Sequence, residues 1–214
     1  MNRPAPAMRR ALNIGTTWFL PEWSTGPSGD EQEVLEASTS VRIPLYVETH
    51  RATLTQDLWR TLQLVERFPE IRFNGDFSHW YTGHDMASGD FETKLDLLAP
   101  VLERVRYLHG RIGTSGCIQV DVGDGRPDDD VPVTHFRAFW ISAFAGFLAT
   151  ADDDAVPAPD LAIGFAPELL PSEFGYALLS PGADGELREV GDRWEQALVL
   201  TRIATECFAA ANGR

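Results

Sequence analysis

The stretch "IRFNGDFSHW" (71–80) begins as an apolar segment and ends on a carboxylate, Asp76, with a histidine three positions later, His79. Its first half, 71–75, has the pattern of a strand. Asp is depleted in strands and is usually solvated. An Asp that directly follows a strand is therefore either a turn residue or a ligand. The elements on both sides of this stretch decide between the two.

Short apolar runs alternate with helical patterns along the chain. Strands are predicted at 11–15, 41–50, 71–75, 106–110 and 160–168. Helices are predicted at 29–39, 55–70, 91–105, 134–150 and 190–210. Pro100 should disturb the third of these helices, and Thr134 should cap the fourth. Most strand ends are spaced by about 30 residues, which is the length of one unit of a (β/α)8 barrel.

Strands that alternate with helices in this way predict an α/β fold with a parallel sheet. Five βα units are visible, whereas a closed TIM (β/α)8 barrel contains eight. The alternatives are an open doubly wound sheet and an incomplete barrel of about five C-terminal units, with the N-terminal units absent. Residues 1–10 are expected to form a flexible N-terminal segment, and 11–214 a single domain.

The composition limits the expected partners. The 214 residues include 18 Lys and Arg against 32 Asp and Glu, which gives a formal net charge of -14. Nucleic acids and anionic membranes are bound by clustered Lys and Arg, so we expect neither as a partner. Two cysteines without a CxxC pair are typical of free thiols in a reducing cytoplasm. No window approaches the roughly 20 apolar residues of a membrane span. The composition therefore predicts a cytoplasmic protein.

A metal-type ligand stands at the end of each of four predicted strands: Glu48, Asp76, His109 and Glu168. The C-terminal ends of parallel strands meet at the active-site edge of α/β folds, so these side chains should converge. Three adjacent carboxylates would repel each other by about 4 kcal/mol per pair at 4 Å, and a divalent cation would remove that repulsion. Three oxygen donors and one imidazole suit Mn²⁺, Mg²⁺, Co²⁺ or Zn²⁺. The alternative for each residue alone is a helix cap, a turn or a solvated charge.

Five further residues are candidates for binding a substrate. Arg51 and Arg111 lie close in sequence to two of the ligands and could hold an oxygenated substrate, although either could instead pair with nearby carboxylates. His79 could orient a ligand or contact the substrate. Trp80 and Gln119 could line a pocket, with Trp80 stacking on a sugar face. The remaining histidines are interpreted as structural or loop residues: His50, His84 and His135.

Other catalytic motifs are missing from the sequence. There is no GxGxxG or GxxxxGK[ST] signature for nucleotide phosphates and no GxSxG nucleophile elbow.

At the residues above, the chain resembles the sugar phosphate isomerase/epimerase family, whose fold is a xylose isomerase-like TIM barrel. The resemblance runs through nearly the whole chain from residue 41 onward. The matching segments are "VETHR" (47–51), "FPEIRFNGDFSHW" (68–80), "YLHGRIG" (107–113), "IQV" (118–120), "FAPELLP" (165–171) and "GDRWEQALVL" (191–200).

The resemblance implies a site as well as a fold. Glu48, Asp76, His109 and Glu168 would hold one divalent metal ion, with Glu173 as the alternative to Glu168. Glu48 and Glu168 would also be the catalytic pair: one would abstract a proton beside a carbonyl and the other would return it, while the metal polarises the oxygens.

The expected function is therefore a metal-dependent isomerase or epimerase of a sugar, a polyol or a sugar phosphate. One alternative is a catalytically impaired remnant of the family that binds metal or sugar. An incomplete barrel would expose two sheet edges, at which the chain could form a homo-oligomer. The other alternative is a phosphodiesterase similar to abasic-site endonucleases. It is disfavoured because the chain has only five histidines and a strongly acidic balance.

Overall fold

The computed structural model describes residues 30–127, 130–157 and 161–213, and the structural statements below concern these residues. The predicted strand 11–15 and the segment 1–10 lie outside them. The helices are α1 (Asp30–Val41), α2 (Leu58–Arg67), α3 (Phe77–Gly83), α4 (Phe91–Leu97), α5 (Ala99–Leu102), α6 (Val131–Thr150) and α7 (Arg193–Asn212). The strands are β1 (Val47–Glu48), β2 (Phe73–Gly75), β3 (Val105–Gly110), β4 (Gly164–Pro167), β5 (Leu179–Pro181) and β6 (Leu187–Glu189). Two short 3-10 helices span Ala151–Asp153 and Ser172–Phe174.

Strands β1 to β4 form a four-stranded sheet in the order β1-β2-β3-β4, and every neighbouring pair is parallel. The α/β class and the parallel sheet are thus confirmed. The register pairs Glu48 with Asn74 and His109 with Ala166. The C-terminal ends of the four strands therefore lie side by side along one edge of the sheet. Strands β5 and β6 form a separate antiparallel hairpin.

The helices α6 and α7 cover the sheet and supply much of its core. They pack along each other, α6 contacts β3, and α7 contacts both β3 and β4. Every residue of β3 is buried. On α6 the aromatic side chains point inward, and the ring of Phe139 stacks on Phe77 with centroids 4.8 Å apart. Burial of such large apolar side chains is the main force that holds the helices on the sheet.

Glycines on the neighbouring strands β3 and β4 allow aromatic rings to lie across the sheet. A Cβ atom at Gly110 would overlap the ring of Phe165, and one at Gly164 would overlap the ring of Tyr107. Each glycine thus admits a ring from the neighbouring strand, which keeps the sheet closely packed just below its C-terminal edge.

Several predicted boundaries differ from the structure. Helix α6 is capped by Asp130, whose Oδ1 accepts the backbone N–H of Val133 at 3.1 Å, and not by Thr134. The helix starts earlier than predicted because Pro132 lies in its first turn, where a missing N–H costs nothing. The predicted strand 41–50 is reduced to the two residues of β1, and its first residue, Val41, belongs to α1. The predicted helix 91–105 is divided into α4 and α5, close to the expected break.

The sequence patterns did not predict helix α3 or the β5–β6 hairpin. No helix in the described ranges has the length and apolar character needed to cross a membrane.

Candidate metal centre

The four predicted ligands converge at the C-terminal edge of the sheet. Glu48 ends β1, Asp76 follows β2, His109 lies near the end of β3, and Glu168 follows β4. The backbone N–H of Glu168 donates to the carbonyl of Gly110 at 3.2 Å, so β4 is tied to β3 up to this residue. One potential ligand atom from each of the four side chains lies within 4.8 Å of the others. The convergence expected from parallel strand ends is thus present.

Asp76 is both a helix cap and a member of this cluster. Its Oδ1 accepts the backbone N–H of Ser78 at 3.1 Å and the Ser78 hydroxyl at 2.5 Å, and its Oδ2 accepts from Arg111 Nη2. The side chain is completely buried. Burial alone would raise the pKa of this carboxyl, but the positive charge of Arg111 and further contacts lower it to about 2. Asp76 is therefore a buried, ionised acceptor.

His109 lies between the two glutamates. Its Nδ1 is 3.1 Å from Glu48 Oε1 and 3.3 Å from Glu168 Oε2. Burial alone would lower the pKa of His109, but the hydrogen bonds with Glu168 and Glu48 outweigh it and raise the pKa to about 10. The charge of the protonated imidazole compensates the glutamates, and a cation that binds the ring nitrogen would have to displace this proton.

Arg111 pairs with the carboxylates of the cluster, which is one of the two roles that the sequence analysis gave for it. The side chain is almost fully buried, its Nε donates to Ser78 Oγ at 3.0 Å, and its Nη2 donates to both Asp76 Oδ2 and Glu168 Oε2, the latter at 3.0 Å. Glu168 Oε2 also lies 3.3 Å from His109 Nδ1, and Asp76 Oδ2 lies 3.5 Å from His79 Nε2, so a cation at either oxygen would compete with these contacts. Arg111 is therefore placed to orient two ligands at once.

The donor set fits a divalent cation. Three carboxylates and one imidazole are hard or borderline ligands of the kind that Mg²⁺, Mn²⁺, Co²⁺ and Zn²⁺ accept. Ligands on opposite sides of such an ion are at most about 4.6 Å apart for bonds of about 2.0 to 2.3 Å. The four atoms all lie within 4.8 Å of one another, which is close to this limit. Glu173, the alternative ligand, is exposed in the 3-10 helix Ser172–Phe174 and is not part of the cluster.

Trp80 and Gln119 are buried structural residues in this fold. The indole of Trp80 has no exposed surface, and its N–H donates to the carbonyl of Thr55 at 2.7 Å. The side chain of Gln119 forms two hydrogen bonds with the backbone of Leu170. Its Nε2 donates to the carbonyl at 2.9 Å, and its Oε1 accepts the N–H at 2.8 Å. The prediction that Trp80 stacks on a sugar face is therefore wrong for this arrangement, because no face of the ring is accessible. Gln119 instead holds the loop that follows Glu168.

Arg51 and His79 lie around a tyrosine that the sequence did not single out. The Cζ atom of Arg51 is 4.7 Å from the ring centroid of Tyr176, and Cζ of Arg111 is 4.8 Å from it. The His79 ring meets Tyr176 edge-on with centroids 6.1 Å apart. Two guanidinium groups on one aromatic ring are a favourable cation–π arrangement. No pattern in the sequence marks Tyr176, since it reaches the site from a loop before β5.

His50 was interpreted as structural, yet its ring lies against His79 with centroids 3.7 Å apart. The sequence contained a signal that His50 lies at the site. Residues two apart on an extended segment point to the same side, so His50 should follow Glu48 toward the site.

These observations define an α/β protein with a parallel four-stranded sheet and a cluster of possible metal ligands at the C-terminal edge of that sheet. No protein-family model, curated protein or solved structure matches this chain.

Proposed function

We propose that this protein is a metal-dependent isomerase or epimerase of a sugar, a polyol or a sugar phosphate, and that its sheet is part of a TIM-type barrel. The observation that carries the proposal is the convergence of Glu48, Asp76, His109 and Glu168 from four successive strand ends. The sequence resemblance assigns these same residues to a metal site. Catalytic residues of barrel enzymes likewise come from the ends of several different strands.

The strand order supports the barrel part of the proposal. Each strand pairs with the next one in sequence, and the sheet grows in one direction from β1 to β4. Doubly wound sheets instead reverse direction at a switch point, which this sheet lacks within the described residues. With right-handed crossovers, growth in one direction puts the connecting helices on the same face. Consecutive strands of a (β/α)8 barrel have this arrangement.

The exposure of the four ligands separates two roles. The carboxylates of Glu48 and Glu168 keep 23% and 32% of their side-chain surface exposed, whereas Asp76 is fully buried and His109 nearly so. A group that exchanges a proton with a substrate must come within hydrogen-bond reach of it. The two glutamates meet this requirement, so they are the residues that remove and return the proton beside the carbonyl. Asp76 and His109 anchor the site from below.

Arg111 and Arg51 have different tasks in this proposal. Arg111 holds Asp76 and Glu168 through one nitrogen atom, which fixes the orientation of Glu168 toward the open side. Arg51 is exposed and lies over Tyr176, where its guanidinium can donate to a hydroxyl, carboxylate or phosphate oxygen of the substrate. A divalent cation held by the four ligands would supply Lewis-acid polarisation of the carbonyl.

The test is proton exchange in the Glu48→Gln and Glu168→Gln variants. We expect each variant to fold, because both side chains are partly exposed, and to lose at least about a thousandfold in turnover, because the amide cannot carry the proton. Solvent deuterium incorporation beside the carbonyl, followed by NMR over a panel of ketoses, inososes and their phosphates, measures the step itself. The exposed Glu173→Gln variant is the matched control and should keep full activity. Unchanged turnover in both glutamine variants of the cluster would rule the assignment out.

A second candidate is a protein that binds metal or sugar without turnover. The ion pairs of Arg111 favour the form that binds a sugar without a catalytic metal, because this guanidinium already gives Asp76 and Glu168 the positive charge that a cation would supply. Metal analysis of the purified protein separates the two candidates. Bound metal with no deuterium incorporation on any substrate of the panel would favour binding alone.

A further inference from the structure

Beside the four-ligand cluster lies a second group of possible metal ligands. One oxygen of Glu48 and one nitrogen each of His50 and His79 all lie within 4.8 Å of one another. Glu48 and His50 come from the end of β1, and His79 comes from the first turn of α3. We infer that Glu48, His50 and His79 form a second cation site, which shares Glu48 with the first. The inference does not depend on isomerase activity.

The hydrogen bond of His50 leaves one ring nitrogen ready to bind. Its Nδ1 lies 2.5 Å from the carbonyl oxygen of Arg51. A carbonyl oxygen can only accept, so Nδ1 carries the proton and the lone pair of the neutral ring is on Nε2. Histidines that bind metals commonly donate their other N–H to a backbone carbonyl or a carboxylate, which fixes the tautomer and the ring orientation. His50 is held in this way.

His79 is held in the same way by a carboxylate. Its Nε2 is 3.5 Å from Asp76 Oδ2 and 3.3 Å from Arg111 Nη2. The two hydrogens of Arg111 Nη2 are directed to Asp76 and Glu168, and Asp76 Oδ2 is an anionic acceptor at the edge of hydrogen-bond distance from His79 Nε2, so we assign the ring proton to Nε2. Its Nδ1 then carries the lone pair.

The Nδ1 atom of His79 is also one of the few buried polar atoms in the described residues that have no hydrogen-bond partner. The His79 side chain has no exposed surface. An unpartnered polar atom at this depth requires an explanation, and a bound cation provides one.

The two sites differ in the metal they should prefer. The four-ligand cluster offers three carboxylates, whereas the second site offers two imidazole nitrogens and one carboxylate. Nitrogen-rich sets of this kind favour Zn²⁺, Co²⁺, Ni²⁺ and Cu²⁺ over Mg²⁺ and Mn²⁺. The charges of Arg51 and Arg111 oppose a cation here, whereas the carboxylates of Asp76 and of the ligand Glu48 attract one. We therefore expect the second site to bind Zn²⁺ and not Mg²⁺.

Binding should move His50 more than His79. Two imidazoles on one metal ion with bonds of about 2.1 Å have ring centroids about 4.5 to 5 Å apart, which is more than the 3.7 Å seen here. His50 is partly exposed and can rotate outward, whereas His79 is enclosed.

The experiment is equilibrium dialysis of the full chain against Zn²⁺, followed by metal analysis. The wild type should bind two equivalents. His50→Ala should lose the second site and bind one, Glu168→Gln should lose the first site and also bind one, and the double variant should bind none. His84→Ala is the matched control, because His84 is exposed and its Nε2 bonds to the carbonyl of Gln56, outside both sites. This control should bind two equivalents.

The pattern of results separates the inference from the proposed function. A single wild-type equivalent that His50→Ala keeps and Glu168→Gln loses would overturn the second site and leave the first intact. An equivalent that is lost in His84→Ala would also overturn it, because the metal would then lie on the surface. An equivalent that only His50→Ala loses would support the second site and count against the first. Circular dichroism confirms that His50→Ala is folded, and His50→Gln repeats the test with a side chain that fills more of the space.

Discussion

At the N-terminal end of the sheet, Arg72 and Arg106 share the carboxylate of Asp154, whereas at the C-terminal edge three carboxylates surround one histidine and one arginine. The Nε atoms of the two arginines lie 2.5 and 2.6 Å from the two oxygens of Asp154. Their remaining contacts include backbone carbonyls and Thr150. The N-terminal cluster keeps one net positive charge, but both oxygens of Asp154 are engaged by the two guanidinium groups within the fold.

The C-terminal edge is different because its polar atoms are not all satisfied. Three of the buried atoms that lack a partner in the described part of the chain are Asn74 Oδ1, His79 Nδ1 and Arg111 Nη1, and all three belong to residues around the ligand cluster. Such atoms cost about 1–3 kcal/mol each when buried. A site that keeps them has polar groups ready for a bound partner. At one charged end of the sheet the ion pairs hold the fold together, whereas the other end keeps buried polar atoms that have no partner within the described residues.

The largest effect on stability is expected from Asp154→Asn. The substitution leaves the buried guanidinium of Arg106 and the partly buried one of Arg72 without their counter-charge, so the free energy of unfolding should fall by about 3–5 kcal/mol. Urea unfolding measures the loss, and the exposed neighbour Asp153→Asn is the control. Zn²⁺ binding by the folded variant should be unchanged. A stability loss below about 1 kcal/mol would mean that Arg72 and Arg106 do not depend on Asp154.

A smaller stability effect, but a change in metal response, is expected from Arg111→Gln. The amide keeps some hydrogen bonding but removes the positive charge between Asp76 and Glu168, and we expect a loss of about 2 kcal/mol in the absence of metal. A divalent cation replaces that charge, so saturating Mn²⁺ should stabilise the variant more than the wild type. Thermal unfolding without Mn²⁺ measures the loss of stability, and thermal unfolding with Mn²⁺ measures the metal-induced stabilisation. The control is Arg126→Gln, whose ion pair with Asp124 is exposed.

An equal metal-induced shift in Arg111→Gln and in the wild type would contradict this expectation. It would mean that the guanidinium and the cation do not compensate the same carboxylates. In the Asp154→Asn variant the metal-induced shift should equal that of the wild type, because the two clusters lie at opposite ends of the sheet.

The sequence predicted the ligand cluster because parallel strands bring their C-terminal residues together whatever the loops do. Asp76 illustrates the limit of that reasoning, since the question of cap or ligand was posed as a choice and the residue is a cap that also lies in the cluster of possible ligands. The role of its neighbour Ser78 follows from the cap and could have been inferred. Helix α3 escaped prediction because its seven residues are too few to show a clear apolar period.

Contacts between distant segments were beyond the reach of pattern analysis. Arg72 and Asp154 are separated by 82 positions, and Arg106 and Asp154 by 48. No motif connects them, and their pairing depends on how the 3-10 helix after α6 returns to the sheet. Tyr176 reaches the site in the same way, through a loop that no periodicity describes. The sequence therefore indicated where possible ligands gather, and among the residues that support them it indicated Arg111 but not Tyr176.

The smallest predicted effect is a change in stability with pH at the N-terminal cluster. Burial alone would raise the pKa of Asp154, but its hydrogen bonds with Arg106 and Arg72 lower it below the ordinary value. The stabilisation from this ionised carboxyl is present in full above its unfolded pKa of about 3.9 and is lost as the pH falls through the folded pKa. The stability difference between the wild type and Asp154→Asn should stay constant from about pH 5 to 7. Below about pH 4 it should shrink by at most about 1.4 kcal/mol per pH unit. Urea unfolding of both proteins at a series of pH values measures this difference. A difference that grows on acidification would show that Asp154 is not ionised in the folded protein. The ion pairs of Asp154 with Arg72 and Arg106 would then not stabilise the N-terminal cluster.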